Sequence, residues 1–376
     1  MSESKVYYTS MRTAPDDSIP AKLARLVKAA GLGGDIDVAD KLVGIKAHFG
    51  EYGNVSFLKP AYLRTIAQEV KAAGGRPFAT DCSTLYVGMR NNALEHLECA
   101  ALNGFNRDSV GCEIVISDGL RGDDEVELPV PVADGVDNLV DKAIIGRGIL
   151  DADLIITLTH AKGCNAASYG GALKNLSMGC ASKAGKMVMH SKGMPRVVEE
   201  KCIGCGLCLQ SCGQDAIDMI DGHAFINDNC VGCGHCISYC PRKTIIPAWH
   251  RVREDMQLKM AEYAAALVAE QDCFHVAIAI DITPQCDCFA GNDAPIVPNV
   301  GMFASCDPVA LDQAVTDRIC AAPMIPDSAL PGLHEAVEGE TDHLHAINPT
   351  SDWELCIKHA EELGAGTRKY ELVEVK

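Results

Sequence analysis

Apolar runs of strand length alternate along this chain with stretches of helical period. The run 42–49 is followed by the stretch 59–73, in which Leu63, Ile66 and Val70 recur at helical spacing. A glycine pair then ends the predicted helix, and a second apolar run begins. A strand, a helix and a strand of these lengths predict a right-handed parallel unit.

The same alternation continues on both sides of a different central segment. Further strands are predicted at 76–82, 112–118, 153–160 and 274–282, and further helices at 91–104, 255–271 and 307–322. Asp307 and Pro308 predict the N-cap and first position of the last of these helices. A capping box from Ser351 to Glu354 predicts one more helix, and 369–376 predicts a strand at a sheet edge. The pattern therefore predicts an α/β fold whose sheet is mostly parallel, with helices on both faces.

The central segment contains two cysteine runs, each spaced C-x2-C-x2-C-x3-C. Three closely spaced cysteines can bind three corners of an iron–sulfur cubane, and the fourth cysteine of each run ligates the other cluster in two-cluster ferredoxins. We therefore expect two [4Fe–4S] clusters. The first is predicted on Cys202, Cys205, Cys208 and Cys240, and the second on Cys230, Cys233, Cys236 and Cys212.

Zinc or purely structural cysteines are the alternatives, but zinc sites usually pair two C-x2-C units and need no triplet. Short apolar pieces at 216–220, 223–226 and 243–247 predict strands around the cluster loops. The segment resembles the bacterial two-cluster ferredoxin domain over 198–247. We thus expect an inserted α+β ferredoxin-like domain at 198–247 that interrupts an α/β module of residues 1–197 and 248–376.

Composition narrows the functional classes. The 376-residue chain has 51 acidic and 33 basic residues, a net charge of −18, which argues against nucleic-acid binding. The amino terminus does not have the pattern of a secretory signal, and no apolar run reaches membrane-spanning length. Nineteen cysteines in such a chain indicate reduced, partly metal-bound thiols and hence a cytoplasmic protein of an anaerobic cell.

Polar residues follow several of the predicted strands. Parallel sheets bind ligands beyond the carboxyl ends of their strands, and these ends include His48, Asp81, Asp118, His160 and Asp281. The glycine-rich stretch 169–186 contains Lys174. We expect His48, Asp81, His160 and Lys174 to line one pocket, as candidate catalytic residues. Singly, each also has a structural interpretation, as a turn former, a helix cap, a packed histidine or a surface lysine.

A second concentration of cysteines lies at Cys286 and Cys288, in a loop after a predicted strand. Two thiolates spaced C-x-C can bind one metal, with Cys180 and Cys306 completing a four-thiolate site or His160 in place of one of them. This predicts a third metal or cluster. The alternative is that these cysteines are reduced and pack as small apolar groups.

Long motifs resemble one catalogued family. The stretches HFGEYGNVSFLKP, TLYVGMR, SDGLRG, GGALKNLSMGCASKAGK and DAPIVPNVGMFASCDPVALDQA are similar, in this order, to the family known as domain of unknown function number 362, in its iron–sulfur branch. Members often have His where this chain has Cys164. The resemblance implies the α/β fold and the clusters, but no particular reaction.

Three functions fit these patterns. The first is an electron-transfer protein whose two clusters relay single electrons to or from the α/β module or a redox partner protein. The second is a reductase with a small-molecule site at the strand ends, supplied with electrons by the clusters. The third is a protein that handles metals or clusters, because the cysteines exceed those of the two runs. No nucleic acid or membrane is expected as a partner, and the sequence leaves the substrate and oligomeric state open.

Overall fold

The computed structural model describes residues 3–85, 88–164, 166–190, 194–212, 214–230, 235–247, 253–335, 340–349 and 351–376. Its strands are β1 Ser4–Thr9, β2 Leu42–Ala47, β3 Arg76–Asp81, β4 Glu113–Ile116, β5 Glu125–Pro129, β6 Lys142–Gly146, β7 Leu154–His160, β8 Lys162–Cys164, β9 Ser168–Gly170, β10 Pro195–Val197, β11 Ile217–Ile220, β12 His223–Ile226, β13 Ile245–Pro247, β14 Cys273–Ala279, β15 Gly301–Ser305 and β16 Tyr370–Glu374.

The helices alternate with these strands. They are α1 Ile19–Ala29, α2 Pro60–Ala72, α3 Ala93–Leu102, α4 Arg107–Val110, α5 Arg147–Leu150, α6 Ala172–Leu176, α7 Lys183–His190, α8 Leu207–Ser211, α9 His235–Tyr239, α10 Arg253–Glu270, α11 Pro308–Cys320, α12 Leu330–Glu335, α13 His343–Ile347 and α14 Trp353–Glu362, with a short 3-10 helix at Glu199–Lys201. None of the helices in the described part of the chain is long and apolar enough to cross a membrane.

The central sheet has eight strands in the order β16-β1-β15-β14-β7-β2-β3-β4. Strands β14, β7, β2, β3 and β4 are parallel to their neighbours in this series, as β16 is to β1, whereas β15 is antiparallel to both of its neighbours. The predicted mostly parallel α/β fold is thus confirmed, and the carboxyl-terminal strand lies at the predicted edge.

Both faces of the sheet are buried. Alternate residues of a strand point to opposite faces, and in β7 Ile155 packs into one apolar core while Ile156 packs into the other. Helices α1 and α2 cover the face of Ile156, and α6, α10, α11 and α14 cover the face of Ile155. Burial on both faces explains why the strands read as continuous apolar runs.

Of the two predicted N-caps, the one of α11 is confirmed and the one of α14 is not. Asp307 caps α11 by accepting hydrogen bonds from the amides of Val309 and Ala310, as predicted. The predicted capping box at Ser351 is wrong, since the N-cap of α14 is Asp352. Ser351 is buried instead and accepts a hydrogen bond from Gln257 Nε2 at 3.0 Å.

The cysteine-rich segment forms a small unit beside the sheet. Strands β11 and β12 pair as an antiparallel hairpin, as predicted. Strand β13 pairs with β10, so the pairing begins at Pro195, a few residues before the predicted boundary at 198. The apolar core of this small unit includes Cys208, Cys236 and Ile237 and extends to Leu85 and Met187 of the main body.

Candidate functional site

A cavity of about 100 Å³ opens at the carboxyl ends of β2, β3, β7 and β14. The four candidates His48, Asp81, His160 and Lys174 all line it. Its other charged or thiol-bearing lining residues are Lys46, Arg90, Lys162, Lys186, His190, Asp287, Cys82, Cys286 and Cys288. The structure therefore brings the four strand-end candidates together, and their role in catalysis stays a prediction.

Asp81 ends β3 and forms a buried ion pair with Lys46 of β2. Lys46 Nζ lies 2.9 Å from Asp81 Oδ1 and also donates to Asn175 Oδ1 at 2.9 Å. Burial opposes ionisation of Asp81, but Lys46 and His96 outweigh burial and hold the pKa of this carboxyl well below its ordinary value. The pair is thus charged, and it links two neighbouring strands at the cavity floor.

His160 ends β7 and lies between two hydrogen-bond acceptors. Its Nδ1 is 2.9 Å from Asp287 Oδ2 and its Nε2 is 2.7 Å from the Ile280 carbonyl oxygen. Burial opposes ionisation of Asp287, but His160 and Lys162 outweigh it and keep the pKa of Asp287 low. Both ring nitrogens therefore face acceptors, one of them the ionised Asp287. His160 therefore has no free nitrogen for a metal.

Three thiols meet beside Lys174. Lys174 Nζ donates to Cys164 Sγ at 3.0 Å and to Cys286 Sγ at 3.3 Å. Hydrogen bonds from the thiols of Cys164 and Cys288, with the nearby lysines, lower the pKa of Cys286 well below that of an ordinary cysteine. The same bonds and burial raise the pKa of Cys164 to about 12 and that of Cys288 above its ordinary value. Cys286 is thus the thiolate of this set.

His48 and Arg90 form another part of the cavity wall. His48 Nδ1 accepts the Gly50 amide at 2.9 Å, so the ring proton of the neutral imidazole is on Nε2. Burial, with Arg90 nearby, lowers the pKa of His48 to about 3. Arg90 is 1% exposed and donates from Nε to Glu51 Oε2 at 3.1 Å. Glu51 therefore holds the Arg90 side chain at the cavity wall.

Asp312 fixes the loop that positions Lys174. This buried residue of α11 accepts hydrogen bonds from the amides of Ala172 and Leu173, at 2.7 and 2.9 Å, and from Tyr169 Oη at 3.2 Å. These bonds set the start of α6, the helix that contains Lys174 and Asn175. Sequence reasoning missed Asp312, because an acidic residue in an amphipathic helix is usually exposed.

Two other predicted strand-end residues have structural roles. Asp118 accepts the Ser83 amide with both carboxylate oxygens, at 3.0 and 2.9 Å, and does not line the cavity. Asp281 lies in a turn with φ of 42°, and its amide donates to Asn299 Oδ1.

The structure does not bring Cys180, Cys286, Cys288 and Cys306 together as the predicted four-thiolate site. Cys306 directly follows β15, which is antiparallel to β14. Its neighbour Ser305 pairs with His275 near the start of β14, so Cys306 is exposed at the strand ends opposite the cavity. Cys180 is buried and donates to the Asn175 carbonyl at 3.5 Å, outside the cavity lining. Cys164 of β8 takes their place beside Cys286. Within the described ranges, no three or more His, Cys, Asp or Glu side chains are arranged to hold a metal ion.

The cysteines predicted to bind the first cluster surround one hollow in the central segment. Cys202, Cys205, Cys208 and Cys240 all line it, with apolar neighbours that include Ile203 and Met219. Of the second set, Cys212, Cys230 and Cys236 are described, whereas Cys233 lies outside the described residues. Gly204 and Gly206 have φ of 64° and 71°, the conformation that glycine permits in such loops.

Comparison with known proteins bears on the whole chain. Residues 43–317 match the family described as Domain of unknown function (DUF362), whereas no functionally curated protein matches. The fold is similar to a crystal structure of a Thermotoga maritima protein from a structural genomics consortium, with 13% identity, a TM-score of 0.35, and coverage of 69% of this chain and 49% of that one. It is also similar to the lactate racemase apoprotein of Thermoanaerobacterium thermosaccharolyticum, with 13% identity, a TM-score of 0.33, and coverage of 74% and 51%.

The chain spans about half the length of these two solved structures, with 49% and 51% of them covered. The family match, in contrast, extends over residues 43–317, which is more than half of this chain, and it includes the strands and loops that form the cavity. The family predicted from the motifs is thus confirmed, and the protein belongs to the DUF362 family.

Proposed function

We propose that this protein is an iron–sulfur reductase of the family's iron–sulfur branch. Segment 198–247 would bind two [4Fe–4S] clusters, and the strand-end cavity would reduce a small organic acceptor. One observation supports this assignment above the others: the cavity and the cysteine-rich segment share a wall. Leu85 and Met187 pack against the segment's core with Cys208 and Cys236, and their chain neighbours Thr84 and Lys186 line the cavity.

The residues present fit a cubane at the first site. Four thiols from two distant parts of the segment line one hollow, and the crossing is the one that two-cluster ferredoxins use. A cubane binds each thiolate at a different iron, so its ligands surround a volume instead of converging on one ion. The absence of a single-ion site among the described residues therefore does not bear on this fit.

The last cysteine of each run accepts a hydrogen bond from a backbone amide. The Ala216 amide donates to Cys212 Sγ at 3.4 Å, and the Thr244 amide donates to Cys240 Sγ at 3.3 Å, in each case from four residues further on. Burial raises the pKa of Cys240, but hydrogen bonds from Thr244 outweigh it and lower that pKa below its ordinary value. Amide donors at sulfur stabilise thiolate ligands and tune cluster potential.

A buried cavity with charged walls favours a reductase over a simple electron carrier, which needs no such pocket. Reduction of a small organic acceptor adds two electrons and two protons. When bound, the clusters can supply the electrons one at a time from a one-electron donor protein, which is oxidised. Lys162 and Lys174 place ammonium protons at the cavity wall, and the His160–Asp287 pair holds Lys162 at 3.8 Å from Asp287 Oδ2.

Cluster content is the first test. Anaerobically purified protein should contain about eight irons and eight sulfides per chain, with visible charge-transfer absorption. Cys205→Ser should lose the electron spin resonance signal of one cluster, whereas Cys306→Ser, at an exposed cysteine outside both runs, should match the parent. Cys212→Ser should perturb the cluster on Cys230, Cys233 and Cys236. Zinc in place of iron would contradict the proposal.

Electron delivery is the second test. Dithionite-reduced protein, freed of excess reductant, is mixed with pyruvate, fumarate, crotonate or acetaldehyde, and the return of the visible absorption is followed. At least one acceptor should reoxidise the parent, and Lys174→Met should slow that oxidation at least tenfold while its reduced clusters give an unchanged resonance signal. If no acceptor reacts, or the variant reacts equally fast, the protein is an electron carrier and not a reductase.

A further inference from the structure

The geometry points to a more specific property of the cavity: we infer that it binds the oxyanion group, carboxylate or phosphate, of a small molecule. This inference deepens the proposed function by naming the substrate class. The chain has a net charge of −18, yet five cationic side chains and only two carboxylates line this one cavity. Such a local reversal of sign concentrates small anions.

Most of the lining charges are neutralised by the protein itself. Asp81 pairs with Lys46, Asp287 pairs with His160 and lies 3.8 Å from Lys162, and Glu51 accepts from Arg90 Nε behind the wall. The Cys286 thiolate faces Lys174. The hydrogen-bond donors that remain lie on the part of the cavity wall formed by Arg90 and His48.

Two donors on this wall have no acceptor among the described residues. Arg90 Nη2 and His48 Nε2 are both buried atoms without a hydrogen-bond partner there, and both residues line the cavity. Arg90 itself is 1% exposed. Buried donors are rarely left without an acceptor, and a guanidinium edge is well suited to a carboxylate or phosphate group.

Lys186 also lines the cavity. Its Nζ donates to the Ala181 carbonyl, a neutral acceptor, and its charge acts on the nearby Asp118. Asp287 Oδ1 is also unpartnered in the described structure, and it offers an acceptor to a ligand's hydrogen-bond donor. The volume of about 100 Å³ limits the ligand to a few non-hydrogen atoms.

Titration calorimetry on the oxidised, cluster-containing protein without any electron donor tests this inference. Malonate and inorganic phosphate are the two anionic probes, and neutral malonamide is the uncharged match of malonate. Lys186→Gln removes the charge and keeps a donor. Lys259→Gln is its control, because Lys259 is similarly buried and donates to the Val188 carbonyl at 2.9 Å outside the cavity.

At least one anion should bind the parent, with Kd raised at least tenfold in Lys186→Gln and less than twofold in Lys259→Gln, and malonamide should not bind. Binding of malonate alone would identify a carboxylate site, and binding of phosphate alone a phosphate site. If neither anion binds, or Lys186→Gln binds as the parent does, the inference is overturned. Since no electron transfer is measured, that failure would leave the reductase proposal to its own tests.

Discussion

Lys174 Nζ lies between two sulfur atoms, 3.0 Å from Cys164 Sγ and 3.3 Å from Cys286 Sγ. An ammonium group in a buried site stabilises a thiolate much more than it would in water, because the surrounding dielectric is low. Hydrogen bonds from two thiols, Cys164 and Cys288, contribute most to the lowered pKa of Cys286, and Lys162 and Lys174 add to it. The thiolate form is therefore favoured at Cys286 over the other two sulfurs.

This localisation predicts how Cys286 reacts. Because its pKa is lowered, Cys286 should already be a thiolate at pH 6.5, and its alkylation by iodoacetamide should change less than twofold between pH 6.5 and 8.5. Ordinary cysteines, with a pKa of about 8.5, should react many times faster at the upper pH. Peptide mass spectrometry with fragmentation separates Cys286 from Cys288 and follows both rates.

A pair of lysine variants controls the assignment. Lys174→Met removes the ammonium, one of the smaller contributions to the lowered pKa of Cys286, and should make the alkylation of Cys286 depend on pH more than it does in the parent. Lys28→Met, at an exposed lysine that pairs with Glu69 on the surface, should leave the alkylation rate of Cys286 nearly independent of pH. If the alkylation of Cys286 in the parent protein rises with pH as that of its other thiols does, the pKa of Cys286 is not lowered and this assignment is wrong.

Residue patterns in the sequence led to part of this site. His48, Asp81 and His160 were predictable because each ends or follows an apolar run that reads as a parallel strand. Cys164 was singled out by the family resemblance, as a position where members often have His. Its contact with Cys286 was not predictable, because it lies in a two-strand hairpin of three-residue strands, too short to give a periodic signal. Arg90 and Asp287 are buried charges in loops, and sequence alone assigns such residues to the surface.

At the scale of elements, α6 depends on a close approach between Gly171 and α11. A Cβ at Gly171 would collide with Asp312 Oδ1 and with the ring of Tyr169. The glycine therefore lets the Asp312 carboxylate reach the first amides of α6, and those bonds set where Lys174 lies. A helix of five residues could not hold this position by its own propensity.

Gly171→Ala should therefore damage both the fold and the cavity. We expect a loss of about 1–3 kcal/mol in the free energy of unfolding, since the clash is with groups that cannot move aside, and a return of pH dependence to Cys286 alkylation. Gly332→Ala is the control, because a Cβ there meets nothing within 4 Å. It should be neutral or slightly stabilising. Equal stability of the two variants would contradict this role of Gly171.

The same contact predicts a pH effect on stability. Burial raises the pKa of Asp312 from 3.8 to about 6. A raised pKa means that the folded state binds the proton more tightly, so this contribution to stability is full below about pH 4 and is lost as the pH rises through 6. Between pH 5 and 7.5 the parent should lose about 1 kcal/mol relative to Asp312→Asn in denaturant unfolding. Parallel pH profiles would show that Asp312 ionises normally.

Helices and strands long enough to show a regular apolar spacing were predictable from the sequence. Short elements and helix starts that depend on tertiary contacts were not. Helix α2 and strands β2, β3 and β7 follow directly from their apolar spacing. Strand β15 was missed, although its five residues are buried, because a short apolar run after a proline-rich loop reads equally as loop. The N-cap of α14 is one residue later than predicted, because the Ser351 hydroxyl accepts a hydrogen bond from Gln257 instead of capping the helix.

For the whole molecule, the proposed delivery of electrons to the cavity depends on the contact between the cysteine-rich segment and the sheet body. Ion pairing between Lys243 and Glu95 at 3.0 Å and the stacking of Arg121 on Tyr239, 4.2 Å from the ring centroid, join the two parts at the surface. Leu85 and Met187, 1% and 0% exposed, join them in the interior. The segment and its expected ligands were predicted from spacing, but this docking depends on residues such as Glu95 and Leu85, whose partners lie more than a hundred positions away in the sequence.

Truncating the interior contact should loosen the segment without unfolding the sheet. Leu85→Ala and Met187→Ala each remove buried apolar volume, with a local cost of about 2–5 kcal/mol. Hydrogen exchange followed by mass spectrometry should then show faster exchange of the amides in 207–245, while β7 and β14 exchange as in the parent. Met324→Ala, at a methionine that is 42% exposed, should change neither. Faster exchange spread over the whole sheet, or none at all, would mean that the segment and the body are joined in some other way.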